Sequence, residues 1–240
     1  MQISFLSKKI LFCFFCIVFF STQIFAEQRF SDFDERNLNK VKTDLLSGGN
    51  VLFIRHAQKH DLGPDANLVR QAFDAADAPL NEPILVPEKY QNGLAMCLTH
   101  LGEANAWILG EVFRRLKIPV RSVLTSGSCR TRQHAEIMFS HAPHLIQIKP
   151  ALVFGGVTTS SQTQRTHAAK EAIMTNFKDK EQNLVIIAHG KTAMEAGLVD
   201  YWPPQGDILI FRRNMFNKWS RTGHLTSKHL VQMLDQRVDW

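Results

Sequence analysis

Val51-Leu52-Phe53-Ile54-Arg55-His56-Ala57 is the stretch on which the reading of this chain turns. Four consecutive apolar residues, bounded by β-branched Val51 and Ile54, predict a strand buried on both faces, as in a parallel sheet covered by helices. Arg55 and His56 then stand where the strand leaves the sheet. Just upstream, Ser31 and Asp34 predict a helix start. Leu38, Val41, Leu45 and Leu46 continue it at helical spacing, and Gly48-Gly49 stops it.

Downstream the same alternation continues. Thr99 to Leu116 predicts an amphipathic helix with Leu101, Ile108, Val112, Phe113 and Leu116 on or near one face. A short strand (Val120–Leu124), a helix (Arg130–Phe139) and another short strand (Ile146–Ile148) follow. A helix over Thr163–Phe177, a second buried strand over Asn183–Ala188, a helix over Thr192–Leu198 and a strand over Ile208–Phe211 complete the series. The tail from Asn214 to Trp240 has no clear pattern. Apolar strands alternating with helices predict an α/β three-layer sandwich, with a largely parallel central sheet and helices on both faces. From Gln58 to about Met96 no period holds, and Pro64, Pro79, Pro83 and Pro87 punctuate the stretch. It reads as an insert, about 58–96, within a single domain over 27–240, and inserts of this length tend to serve as lids or specificity segments.

The first 26 residues read as a secretory signal peptide. Lys8-Lys9 precede the apolar run Ile10–Phe20, which is too short to span a bilayer, and Ile24-Phe25-Ala26 offers a cleavage site. The expectation is an exported protein, periplasmic or secreted, with no stable membrane insertion once the leader is removed. The whole chain has 240 residues, 45% hydrophobic and 21% charged, with a formal net charge of +6. This is a globular composition, and the mild basic excess suits an anionic small molecule rather than nucleic acid. Of four cysteines, only Cys97 and Cys129 lie beyond the leader, which predicts one disulfide in an oxidising compartment, with two free thiols as the alternative. Such a bond closes a loop of about 30 residues and stabilises by about 3 to 4 kcal/mol in the chain-entropy model. The sequence sets no oligomeric state.

In open α/β sheets ligands bind beyond the carboxyl ends of the strands. That rule selects Arg55-His56, Ser126 to Arg130, and His189-Gly190. Two arginines and two histidines brought together make a site for a doubly charged oxyanion, because the guanidinium fork matches phosphate oxygens in pairs. A histidine attacks phosphorus when its reactive nitrogen is unprotonated and its other nitrogen is held. Phosphoryl transfer needs little beyond this except charge stabilisation and an acid for the leaving oxygen.

These residues carry a resemblance. Arg55-His56-Ala57 after an apolar strand resembles the Arg-His-Gly motif of the histidine phosphatase (phosphoglycerate mutase-like) superfamily. Leu98-Thr99-His100-Leu101-Gly102 with Ala104 is similar to its Leu-Thr-x-x-Gly-x-x-x-Ala helix opening. Ser126 to Ala135, which includes Arg130-Thr131-Arg132-Gln133-His134, resembles its Ser-Ser-Pro-x-x-Arg-Thr-x-Gln-Thr-Ala segment, and Val185 to Gly190 its second histidine motif. The resemblance implies that His56 becomes phosphorylated, that Arg55, Arg130 and His189 bind the phosphoryl oxygens with Thr99 among the substrate-binding residues, and that neither cofactor nor metal is required. Among the branches, exported phosphatases of the lipopolysaccharide core heptose-phosphate type look most alike, sharing a leader and a cysteine just before the Leu-Thr segment. The implied substrate is a phosphorylated small molecule or sugar. A phosphomutase, and a non-catalytic phosphate- or phosphosugar-binding module on the same fold, are the alternatives.

Departures bear on the acid. One branch of the superfamily carries an aspartate directly after the second histidine, where this chain has Gly190. The other draws a glutamate from between the second and third motifs, where Glu171 and Glu181 stand. Glu195, Asp61 and Asp207 are further candidates, and the general acid stays open among them. His134 replaces the usual threonine and reads as a packing or surface residue. His60-Asp61 with Lys59 reads equally as a substrate contact or as a polar loop. His141-Ala142-Pro143-His144 reads as a solvated loop, because the proline breaks the spacing a zinc pair needs.

Overall fold

The computed structural model describes residues 35–60, 97–152 and 170–235. The chain separates into compact units over Met1–Asn39 and Lys40–Trp240, and of the first only residues 35–39 are described, as a helical stretch. Helix α1 (Glu35–Ser47) leads to β1 (Asn50–Arg55). Then come α2 (His100–Leu116), β2 (Val120–Thr125), α3 (Cys129–Met138), β3 (Ile146–Ile148), β4 (Asn183–Ala188), α4 (Gly190–Glu195), β5 (Ile208–Arg213), β6 (Trp219–Leu225) and α5 (Ser227–Asp235). Residues 170–175 are also helical. The Ser31 and Asp34 helix start, the bulk of the insert and residues 163–169 lie outside the described residues.

Six strands form one sheet in the order β3-β2-β4-β1-β5-β6. The first four run parallel, and β5 and β6 are antiparallel additions at the β1 edge. The expected α/β sheet is therefore present, with its antiparallel third drawn partly from the tail that gave no pattern. In β6 the run Trp219-Ser220-Arg221-Thr222-Gly223-His224-Leu225 is mostly polar, as an edge strand is, so hydrophobic patterning does not find it.

The central pair, β1 and β4, sets the site. Both strands are six residues long and run in register from Val51 opposite Leu184 to Arg55 opposite Ala188. At their amino ends two buried amides lock together. Asn50 donates from its backbone and its Nδ2 to Asn183 Oδ1, while Asn183 Nδ2 donates to the carbonyls of Leu45 and Pro119. Successive side chains alternate between the two faces of the sheet. Val51, Phe53, Leu184, Ile186, Leu209 and Phe211 share one core with Met174 of the 170–175 helix and Ala193 of α4. On the other face Val41 of α1 approaches Ile210 across Gly223. Helix α2 packs on α3 and α5.

Two helices differ from expectation. Leu101, expected on the buried face of α2, is 68% exposed. The buried face runs instead through Gly102, Ala106, Leu109, Val112, Phe113 and Leu116. It begins on a glycine because a Cβ at Gly102 would collide with the Gln58 carbonyl, and Gly110 meets the Met138 carbonyl in the same way. Close backbone approach, rather than side-chain size, fixes that face. The expected Thr192–Leu198 helix is displaced to Gly190–Glu195, starting directly from His189 and giving way to Gly197 at φ +67°.

Candidate active site

The parallel strands β2, β4 and β1 end side by side, Thr125 opposite Ile187 and Arg55 opposite Ala188. The residues that follow each strand, Ser126, His189 and His56, therefore emerge at one edge. The ladder continues one step further, with the His56 backbone N–H donating to the Ala188 carbonyl at 3.0 Å. His56 and His189 are 4% and 3% exposed, with ring centroids 5.6 Å apart in an edge-on arrangement.

Partner chemistry assigns the protons on both rings. His56 Nδ1 lies 2.8 Å from the Ala57 carbonyl, which only accepts, so Nδ1 carries the hydrogen. His56 Nε2 receives the Arg130 Nε–H at 3.2 Å and so presents its lone pair. In His189 the roles reverse. Its Nδ1 accepts from the Arg130 Nη2 at 3.1 Å, which leaves Nε2–H to donate to Ser126 Oγ at 3.0 Å. The Ser126 hydroxyl in turn lies 2.7 Å from that of Thr131. Burial, followed by the Arg130 charge, holds both imidazoles well below their ordinary pKa, and the Ala57 hydrogen bond offsets this only in part for His56. Both rings are neutral at neutral pH.

Arg130 is the second residue of α3 and reaches both rings from between them. Burial, then the Arg55 charge, brings its pKa down to about 10, which still leaves it charged. The start of α3 is tied down by the Cys97–Cys129 disulfide, with Cα atoms 4.9 Å apart. From Cys97 the tether continues, since its carbonyl accepts the His60 N–H and the Leu98 N–H donates to Gln133 Oε1 at 2.8 Å.

Arg55 turns to a different set of partners. Its Nη1 donates to the Pro203 carbonyl at 2.6 Å, and its guanidinium stands 5.6 Å from the Trp202 ring centroid. Burial lowers its pKa and the Asp207 carboxylate opposes that. The backbone of Arg55 is also paired on both sides, to Asp207 and Gly206. Trp202 explains Gly190, because a Cβ there would run into the indole. The space that a side chain at position 190 would occupy is thus filled by Trp202, from the loop before β5. Nothing in the spacing of Trp202-Pro203 announced this role.

The other expected residues fall as follows. Thr99 is the N-cap of α2, its hydroxyl accepting the Gly102 N–H at 3.1 Å and donating to Gln58 Oε1 at 3.0 Å. Glu195, on α4, is buried against Lys170 in an ion pair. Lys170 is within electrostatic reach of His189 and helps to hold that ring neutral. Asp207 pairs with His224 at 2.7 Å. Glu171 and Glu181 are exposed, and Asp61 lies outside the described residues. Of the two readings of His134, packing and surface, the structure bears out the buried one: it is fully buried, with Nδ1 accepting the Ala57 N–H at 3.1 Å, a contact that no sequence pattern signals. Among the described residues no group of histidines, cysteines and carboxylates is placed to hold a metal ion, and no helix is long and apolar enough to cross a membrane.

No family model matches the sequence, and no curated protein matches it either. Solved structures do resemble it. The ecdysone phosphate phosphatase of Bombix mori, in complex with tungstate, aligns at 16% identity with a TM-score of 0.48, over 72% of this chain and 91% of that one. A phosphoserine phosphatase from Entamoeba histolytica in complex with 3-phosphoglyceric acid aligns at 11% identity and 0.48, over 75% and 98%. The phosphoglycerate mutase of Plasmodium falciparum aligns at 13% identity and 0.42, over 72% and 87%.

Proposed function

We propose that this chain is a phosphomonoester hydrolase of the histidine phosphatase superfamily, working through a phosphoramidate, a nitrogen–phosphorus bond to His56. The observation that carries the reading is the state of the His56 ring. It is neutral, its proton is held on Nδ1 by the Ala57 carbonyl, and its lone pair on Nε2 faces a permanently charged guanidinium. A nucleophilic imidazole at a dianionic substrate requires these three conditions.

In the reaction, His56 Nε2 attacks phosphorus as the bond to the leaving oxygen breaks, and that oxygen takes up a proton from water. Water then attacks the phosphorus of phospho-His56, releasing inorganic phosphate and returning the free imidazole. Arg130, whose N–H groups meet His56 and His189, turns those donors to the phosphoryl oxygens and neutralises charge as it builds. His189 stays neutral and contributes by position rather than by charge. Arg55 supplies a second fixed cation.

The substrate class we propose is a phosphorylated small molecule or sugar outside the cytoplasm. Supporting this are the leader pattern of residues 1–26 and the cysteine pair, which suits an oxidising compartment. The test is hydrolysis of 4-nitrophenyl phosphate by the wild type and by His56→Ala. The account expects turnover that the substitution abolishes. Robust hydrolysis by His56→Ala would overturn it, and tight phosphate binding with no hydrolysis across a broad phosphomonoester panel would make the chain a binding module instead.

A further inference from the structure

Helix α3 carries two residues one turn apart that both reach the His56 segment. Arg130 meets the His56 ring at Nε2, and His134, four positions on, meets the backbone directly after it. Residues four apart lie on the same face of a helix, so α3 grips the nucleophile's neighbourhood at two points. The Ala57 N–H needs this second contact. Strand β1 ends at Arg55, and Ala57 is buried, so its N–H has left the ladder without access to water.

We propose that His134 is a positioning residue: by accepting the Ala57 N–H it fixes the residue whose carbonyl holds the His56 proton on Nδ1. The proposal rests on His56 being the nucleophile. The relay is short and each step is set by donor chemistry. The Ala57 N–H donates to His134 Nδ1 at 3.1 Å, and His56 Nδ1–H donates to the carbonyl of that same residue at 2.8 Å. If Ala57 shifts, the acceptor for His56 shifts with it, and the proton is no longer confined to Nδ1.

Packing alone does not account for an imidazole here. Once Nδ1 serves as acceptor, the proton of the neutral ring resides on Nε2, and that atom is buried with no partner among the described residues. An orphaned buried donor costs free energy that an apolar side chain of similar size would avoid. What the histidine gives in return is its acceptor. Burial pushes the His134 pKa down to about 3, so the acceptor persists through neutral and mildly acidic conditions.

The experiment compares wild type, His134→Asn and His134→Leu. Asparagine places Oδ1 near the Nδ1 position and still accepts the Ala57 N–H, whereas leucine fills the space without an acceptor. On 4-nitrophenyl phosphate, His134→Leu is expected to lower kcat about 10- to 100-fold with KM little changed, because misplacement of a reacting group costs this much. His134→Asn should recover most of the loss. The 15N resonances of the rings give a second readout. Wild type should show His134 protonated on Nε2 and His56 on Nδ1, and His134→Leu should show His56 divided between its tautomers. A leucine variant with unchanged kcat and an unchanged His56 tautomer overturns the proposal, as does an asparagine variant as impaired as leucine. Should His134→Leu not fold, the wild-type spectrum still decides, since a proton on His134 Nδ1 contradicts the relay. A wild type that hydrolyses no phosphomonoester defeats the nucleophile reading, and the tautomer measurements then judge the relay alone.

Discussion

Arg130 Nε stands 3.2 Å from His56 Nε2, so the lone pair that would attack phosphorus faces the cation that would receive its oxygens. A point charge cannot replace this arrangement, because one planar group serves His56 and His189 together. Arg130→Lys is therefore expected to lose kcat/KM by about 100- to 1000-fold, the scale found for removing an oriented donor from a developing oxyanion. Steady-state kinetics on an aryl phosphate would show it. A lysine variant within threefold of wild type would mean that orientation is unimportant here.

Three neutral buried imidazoles make stability depend on pH. His56, His134 and His189 all have folded-state pKa values below the ordinary 6.5, through burial first and, for His56 and His189, the Arg130 charge next. Below pH 6.5 the unfolded chain takes up protons that the folded chain refuses. Stability is thus full above that value and falls as the pH drops through the window beneath it, down to about 3 for His134. At pH 5.5 each such histidine costs about 1 kcal/mol relative to pH 7.5. Thermal unfolding should show a lower Tm at pH 5.5, and His134→Asn should flatten the dependence. A Tm that holds constant across this range contradicts neutral burial.

The same depression predicts the activity profile. The acid limb of kcat/KM, which reports the free nucleophile, should lie below pH 6.5, because His56 stays unprotonated where an exposed histidine would not. A limb at or above that value would show that the ring is not shielded in solution.

Lys170 and Glu195 offer a separate test of the core beside His189. Their side chains are 1% and 7% exposed. Lys170→Met removes the cation from this buried pair and should destabilise by about 3 to 5 kcal/mol, whereas adding Glu195→Leu should recover most of that loss. Chemical denaturation of the two variants measures the difference. Equal stability of the single and double variants would mean that water reaches the pair.

Much of this is legible in the sequence. Val51 to Ile54 and Leu184 to Ala188 are apolar on both faces and read as buried strands, which they are. The rule of strand ends then pointed to His56, Arg130 and His189, whose side chains meet, and to Arg55, which turns to Pro203 and Trp202. Cys97 and Cys129 were an even pair, and they meet. What escaped were features set by contact rather than by periodicity. His134 is one polar residue within a largely polar helix, and the position of the Ala57 N–H is what makes its burial intelligible. Gly102 and Gly110 mark the buried face of α2, yet a glycine carries no hydrophobic signal. Trp202 occupies the space beside Gly190 from a loop whose course no local pattern sets. Strand β6 is polar because it borders the sheet, so alternation does not reveal it.

The central claim is a covalent bond to His56. It is tested by mixing the protein with phosphate-labelled aryl phosphate during turnover, then stopping the reaction in alkaline denaturant, since a nitrogen–phosphorus bond is lost in acid. Peptide mass spectrometry then locates the label. The account predicts a phosphoryl group on the peptide containing His56, assigned to that ring and missing from His56→Ala. Sustained turnover with no phosphoryl group on His56, or with the label on another residue, would contradict it.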